Sequence, residues 1–509
     1  MENQDTYFPY LFTTILFTIM MLEIWKKFTS NGSISKLPPG PLKLPFIGNL
    51  HLFSGTLPHH CLRDMAKVYG PVMHLQLGEA STFIFSSREV VEAVMKTHDL
   101  IFAGRPLLHS LKLVTYSFSD IVLAPYGDYW RQMRKICTSE LLSVRRVKSF
   151  RSIREDEVSN LIRNISLEAG STINLRKMLY SSGLSIISRA AIGGKCKHQE
   201  EFKQLVPEIL TLFGGLSLVD LFPSIKLLSL IHSLRPKYRN LHKKLDEVLE
   251  SIILEHQANK GTEKSSCEDH EEDDLLDVLL DLKDHGELRI PLTIANIKAI
   301  IMDLFTAGGE SSAVVVEWAM SEMLKNPKVM EKAQAEVRHV FATKGSVDET
   351  GLHELKYLNL VIKETLRLHP PSPLLVARES RERCEINGFE IPAKSRVIVN
   401  AWAIGRDSNY WTEAEKFLPE RFSDGTSDYT GSNFEFIPFG GGRRMCPGIS
   451  FGMANIELEL ANLLFHFDWR LPDGKKPEDV DMTEVFSTVA RRKYDLCLIP
   501  IPHRPMPFN

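Results

Sequence analysis

Ten residues near the C-terminus, Phe439 to Gly448, read FGGGRRMCPG and set the tightest limit on how this chain can fold. A single cysteine, Cys446, lies behind three glycines and two arginines, and Pro447 and Gly448 close the turn after it. Residues without a Cβ permit a loop tight enough to bring backbone N–H groups up to one sulfur. A metal-binding thiolate needs such hydrogen bonds, and positive charge nearby, to hold its pKa and potential. Gly448 lets the next helix, from Ile449, begin close to a flat ring, and Arg444 can answer a carboxylate on that ring's edge. The plain alternative is an inert buried cysteine in a glycine-rich turn. The other six cysteines (Cys61, Cys137, Cys196, Cys267, Cys384, Cys497) are scattered with no C-x-x-C pair. That disfavours a disulfide framework or a zinc knuckle and fits a reducing compartment.

The longest helical pattern runs from about Leu292 to Lys325, where Asn326-Pro327 stops it. Its middle reads FTAGGESSA, and each of the two adjacent glycines costs about 1 kcal/mol relative to alanine. Either they allow close packing against another helix, or the helix opens locally where a ring-bound ligand must fit. Glu310 and Ser311 follow, an acid and a hydroxyl able to relay protons. Ala307 and Gly308 offer a metal no strong ligand. Elsewhere ETLR (Glu364 to Arg367) carries acid and arginine at i, i+3, a spacing that more often marks a surface ion pair, and it gains weight from PERF (Pro419 to Phe422) ahead of the cysteine loop. WRQMR sets Trp130 and Arg134 on one helix face, an indole N–H beside a guanidinium; its bland reading is a core tryptophan.

Tyr7 to Trp25 is apolar apart from a few threonines, Pro9 and Glu23, and is about long enough to cross a thin bilayer. Acidic Glu2 and Asp5 precede it, and Lys26 and Lys27 follow, so the body of the chain should face the cytosol. A cleaved signal peptide would want a basic start and a small-x-small site, and neither is present. The expected organisation is a signal-anchor helix over 1–28, a polar and proline-rich hinge over 29–49, and a catalytic domain over 50–509. Pro38, Pro39, Pro41 and Pro45 should make the hinge a stiff extended spacer. Helical patterns dominate the rest. Short β-type stretches occur at Val72–Leu77, Phe83–Ser86, Glu385–Ile391, Arg396–Asn400 and Tyr494–Ile499. The acidic run from Glu263 to Asp274 reads as a solvated loop and a helix N-terminal charge cluster; it lacks the spacing and glycine of a calcium loop. A formal charge of -3 carries no global signature of nucleic-acid binding.

At FGGGRRMCPG, FTAGGESSA, ETLR, PERF and WRQMR, and along nearly its whole length, the chain resembles the cytochrome P450 family of haem-thiolate monooxygenases. The resemblance implies a single mainly α domain with small β-sheets behind the anchor. It implies haem b on Cys446, whose thiolate favours O–O cleavage, with Phe439 at the ring and Trp130, Arg134, Arg378 and Arg444 on the propionates. Glu310 and Ser311 would handle protons; the family usually carries threonine where Ser311 stands. Glu364, Arg367 and Arg421 would form a buried structural triad. Substrate would be met from Leu107–Phe118, Leu210–Leu218, Met302–Ala307, Ser372–Val376 and Phe486–Val489, with Phe305, Ala307, Leu374, Leu375, Ser487 and Thr488 the pocket residues of first choice.

The chain shows no nucleotide-binding loop of its own. The family's electrons come from NADPH through the FAD and FMN of NADPH–cytochrome P450 reductase, with cytochrome b5 as a further donor, and O2 is the co-substrate. Arg131, Lys135, Arg145, Arg146 and Lys148 form a basic stretch that is either a solvated face or the docking surface for an acidic partner. The hinge, FAGRP (Phe102 to Pro106) and the cysteine loop resemble the plant A-type microsomal branch, and DLFTAGGESSA is most like terpenoid oxidases of casbene-type diterpenes. The expected activity is insertion of one oxygen atom into a lipophilic plant metabolite at the endoplasmic reticulum membrane. Sesquiterpene, phenolic and alkaloid substrates stay open. So do a same-fold hydroperoxide isomerase or dehydratase, and a non-catalytic haem binder.

Overall fold

The computed structural model describes residues 36–193, 198–214, 217–228, 236–263, 274–486 and 489–503, together with Thr14, Thr18 and Met21. Most of the anchor, and hinge residues 29–35, therefore lie outside the described residues. Thr14, Thr18 and Met21 are helical and exposed.

In chain order, α1 (Pro58–Tyr69) leads into the strands β1 (Val72–Leu77) and β2 (Ala80–Phe85). The helices α2 (Asp128–Ile136), α3 (Leu175–Ile192), α4 (Gln199–Gly214), α5 (Leu275–Asp284), α6 (Ile294–Lys325), α7 (Lys356–Leu368) and α8 (Ile449–His466) build the body. β1 and β2 pair antiparallel, β2 pairs parallel with β7 (Arg396–Val399), and β7 pairs antiparallel with β4 (Arg378–Glu379). β11 (Cys497–Pro502) lies between β3 (Ile173–Asn174) and β8 (Phe467–Arg470). Two hairpins complete the strands, β5–β6 (Cys384–Ile386, Phe389–Ile391) and β9–β10 (Glu484–Phe486, Ala490–Arg492).

α6 is the axis of the molecule and is buried along most of its length. A capping box starts it: the Asn296 N–H donates to Thr293 Oγ1, and the Thr293 N–H donates to Asn296 Oδ1. It ends at Asn326, before Pro327, as the sequence predicts. The helix is continuous through Gly308 and Gly309, so the local opening is not there. The glycines serve close packing: a Cβ on Gly309 would stand 2.8 Å from Leu184 Cδ2, and one on Gly183 of α3 would stand 2.8 Å from the Gly309 carbonyl oxygen.

Three strand expectations shift. The Glu385–Ile391 stretch is a hairpin, because Asn387 and Gly388 both take positive φ (51° and 78°) and turn the chain. β2 begins three residues earlier than read, paired to β1. The last strand lies at Cys497–Pro502 rather than Tyr494–Ile499, because pairing with β8 sets its position rather than local propensity. Of the acidic run, Asp274 caps α5 by accepting the Asp277 N–H at 2.8 Å.

The proline-rich part of the hinge lies against the first sheet rather than standing free. The His74 N–H donates to the Pro39 carbonyl at 3.0 Å, and Asn49 exchanges hydrogen bonds with the Gln76 backbone at 2.7 and 2.8 Å. The rigidity that proline gives this segment is used to fit an edge.

Candidate active site

Between α6, α8 and the loops that follow α7 lies a cavity of about 360 Å³, with Cys446 at its floor. The loop before α8 holds the cysteine by backbone contacts. The Cys446 N–H donates to the Phe439 carbonyl at 3.0 Å, and the Met445 N–H to the Gly442 carbonyl at 3.1 Å. Gly442 has φ +63°, and a Cβ there would stand 2.4 Å from the Met95 carbonyl oxygen, so only glycine fits. Asp99 clasps the same loop, accepting the Arg443 N–H at 3.0 Å. The Cys446 sulfur opens to the cavity although the residue is deep in the fold. Burial raises the pKa of its thiol, while the Gly448 N–H and the Arg134 charge work the other way. Burial alone thus favours the neutral thiol, and a cation bound at the sulfur would favour the thiolate.

The cavity rim carries four arginines. Arg444 lies over the Trp130 ring at 4.2 Å and donates to the Ala103 and Ala124 carbonyls at 2.9 and 2.7 Å. Arg378 donates to the Gly441 carbonyl at 2.6 Å and meets Asp99 at 3.4 Å. The guanidinium of Arg134 reaches no acid among the described residues. Arg105 donates to the carbonyls of Val122, Val376 and Ala377. Trp130 is 3 % exposed, and its indole N–H donates to the Ile121 carbonyl at 3.0 Å. Burial lowers the pKa of all four arginines, and that of Arg444 to about 9. So many buried positive charges with so few acids suit a ligand edge bearing carboxylates. A cysteine floor, an apolar slot and a cationic rim together fit a haem, whose propionates would meet the arginines.

The opposite wall is α6. Thr306, Ala307, Gly308, Ser311 and Ser312 line it, and Ser311 Oγ donates to the Ala307 carbonyl at 2.7 Å. Glu310 is turned out of the cavity. Its Oε1 accepts from Arg176 Nη2 of α3 at 3.0 Å, and Arg176 Nη1 reaches the buried Glu317 at 3.0 Å. The acid and hydroxyl adjacent in sequence thus face different surroundings. Further along α6, Asp303 Oδ2 accepts the Ile121 N–H at 2.7 Å and Asp120 Oδ2 the Leu123 N–H at 2.7 Å. Burial holds Asp303 well above the usual carboxylate range and Asp120 up to about 6. These acids fix the loop that brings Ile121 and Val122 to the cavity.

Among the other residues singled out from sequence, Ala307, Leu375 and Phe439 line the cavity. Phe305 packs on Phe202 of α4 at 4.6 Å instead, and Leu374 joins the small core under β1. Ser487 and Thr488 lie outside the described residues. Within 107–118, Leu111 and Val114 form a satellite core with Leu123, and the wall is supplied by Ile121 and Val122. Alternation of apolar residues cannot tell a wall from the core behind it. Arg105 and Asp99 were missed as site residues; FAGRP was visible, but nothing in it says that its arginine turns inward.

The triad is formed. Arg367 donates from Nε and Nη2 to the two Glu364 oxygens at 2.7 and 2.8 Å, and Arg421 Nε to Glu364 Oε1 at 3.0 Å. The Leu418 N–H donates to the same carboxylate at 2.8 Å.

The family model for cytochrome P450 matches residues 38–498. The chain is 53 % identical over 489 residues to desmethyl-deoxy-podophyllotoxin synthase of Sinopodophyllum hexandrum, covering 96 % of each chain. It is 50 % identical over 496 residues to premnaspirodiene oxygenase of Hyoscyamus muticus, covering 97 % of this chain and 98 % of that one. Among solved structures, a zebra fish cytochrome P450 with progesterone superposes with a TM-score of 0.74 at 23 % identity, covering 88 % of this chain and all of that one.

Proposed function

This chain belongs to the cytochrome P450 family, and on that premise we propose which residues act, on what substrate and with which partners. It is a monooxygenase of plant specialised metabolism, using haem iron, O2 and NADPH-derived electrons delivered through a reductase. When bound, the haem supplies the oxygen-activating chemistry. Cys446 would be its thiolate ligand, and Arg134, Arg378 and Arg444, with Arg105, would hold its propionates; Trp130, whose indole N–H is taken by the Ile121 carbonyl, backs Arg444 with its ring face instead. The observation that carries this is the Cys446 sulfur opening at the cavity floor below the four-arginine rim.

Ser311 Oγ sits on the cavity wall and hands protons inward. Glu310, about 100° around the helix and paired with Arg176, would supply that hydroxyl by swinging from the arginine toward the cavity. The substrate is a neutral lipophilic plant metabolite, because Leu210, Phe213, Leu304, Leu375 and Val489 leave the cavity mainly apolar. The relatives' names span unlike products, so terpenoid scaffolds, casbene among them, are the first to test rather than the only ones. The reductase docks on the basic face of Arg131, Lys135, Arg145, Arg146 and Lys148, all wholly or partly exposed, with cytochrome b5 competing there. The anchor and hinge hold the domain at the cytosolic face of the endoplasmic reticulum.

The test is the carbon monoxide difference spectrum of the reduced protein in membranes, beside Cys446→Ala. The parent should show the strongly red-shifted band of thiolate-bound haem and the variant should lose it; a variant that keeps the band would refute the assignment. Turnover of a terpenoid panel with NADPH and reductase then tests the substrate class.

A further inference from the structure

Near the part of the cavity wall formed by Pro371 and Val489, three imidazoles converge on one carboxylate. His59 Nε2 lies 2.8 Å and His60 Nε2 3.3 Å from Glu484 Oε2, and His369 Nδ1 lies 3.6 Å from Glu484 Oε1. A ligand atom from each of His59, His60 and Glu484 lies within 4.8 Å of the others. His59 is fully buried, and His369 and Glu484 nearly so. We propose that this cluster is a divalent transition-metal site, taken by Zn²⁺, separate from the haem.

Three features point to a metal rather than to hydrogen bonding alone. Hydrogen bonds leave His60 Nε2 and His369 Nδ1 buried without a partner, both facing Glu484. Tetrahedral zinc, bound at about 2.0–2.2 Å, sets its ligand atoms about 3.3–3.6 Å apart, the separation of His60 Nε2 from Glu484 Oε2; His369 faces the other oxygen, Oε1, and would complete the set by closing on the ion. Finally, the other nitrogen of His369 is occupied as a metal-ligating histidine requires: Nε2 meets Glu322 Oε1 at 2.7 Å. A carboxylate on the far nitrogen fixes the tautomer that presents Nδ1 to a metal and raises its basicity. Three imidazoles with one carboxylate select zinc over magnesium or calcium, which prefer oxygen. His60 is 38 % exposed in its side chain, although its Nε2 is buried.

The placement gives the site a role. His59 and His60 sit in the first turn of α1, Glu484 opens β9, and His369 follows α7. Two residues beyond His369, the Pro371 carbonyl accepts the Ala490 N–H at 2.9 Å, and Pro371, Ser372 and Val489 line the cavity. An ion here clamps the β9–β10 hairpin and the post-α7 loop to α1, and so sets one wall of the substrate cavity from outside it.

The test is metal content of the full-length holoenzyme, freed of any histidine tag, equilibrated with Zn²⁺ and gel-filtered. Zinc and iron are counted together in the parent, His60→Gln and Glu484→Gln. The parent should hold one zinc per iron, and each variant should lose at least fivefold while keeping its iron. X-ray absorption at the zinc edge should show three imidazoles and one oxygen in the parent. If Glu484→Gln loses iron by misfolding, the half-exposed His60→Gln decides alone. A parent without zinc, or zinc undiminished in His60→Gln, would overturn the proposal and leave a hydrogen-bonded cluster.

Discussion

Arg367 and Arg421 share one carboxylate, yet their removal should not cost the same. Arg367 is fully buried, and besides Glu364 it satisfies the carbonyls of Gly405, Ala414 and Lys416 at 2.6, 2.7 and 3.1 Å. Replacing it with glutamine breaks a buried ion pair, worth about 3–5 kcal/mol. It also orphans at least two buried carbonyls at about 1–3 kcal/mol each. The total, about 5–11 kcal/mol, overlaps the whole stability of an ordinary domain, about 5–15 kcal/mol. Arg421→Gln leaves Glu364 with both Arg367 bonds and the Leu418 N–H. The carbonyls that Arg421 served, Thr412, Glu413 and Lys416, lie where water can replace it. Its cost should be about 1–3 kcal/mol, that of one charged hydrogen bond. The assay is the yield of haem-loaded protein and its urea midpoint, read by the red-shifted carbon monoxide band. Arg421→Gln should fold with a lowered midpoint, and Arg367→Gln should give almost no haem-loaded protein. Equal losses in the two variants, or a well-folded Arg367→Gln, would refute the hydrogen-bond accounting.

Two other outcomes are expected. Glu459 of α8 is fully buried against Ser182 Oγ at 2.9 Å, and burial pushes its pKa up to about 8. The folded state thus keeps a proton that the unfolded chain gives up near pH 4.5, so stability is full below that pH and falls as pH rises to about 8. At about 1.4 kcal/mol per pH unit the loss is on the order of 5 kcal/mol; Glu459→Gln should gain on the parent toward alkaline pH in urea unfolding, and parallel pH profiles would contradict this. Glu310→Gln should lower turnover about 100-fold with substrate affinity, read spectrally, changed less than twofold. An unchanged turnover rate would remove Glu310 from the proton path.

Motifs whose chemistry depends on neighbours in sequence were legible before any coordinates. FGGGRRMCPG is a loop whose hydrogen bonds close largely within a few residues, and α6 announces its stop by Asn326-Pro327. Even the glycine pair was read as one of two things, and Leu184 and Gly183 chose between them. The directions of single side chains were not legible. Glu310 and Ser311 are adjacent, but a helix turns about 100° per residue, so one meets the cavity and the other Arg176. Arg105 and Asp99 join a site whose cysteine lies more than three hundred residues away in the chain, and of the three histidines around Glu484 two lie more than four hundred residues from it and the third 115. Sequence by itself determined the family, the glycine-rich cysteine loop and the axial helix, because those signals are local and periodic. Only the tertiary structure decided which buried charges meet, because opposite charges are brought within a few ångströms by the packing of distant elements, which no spacing along the chain records.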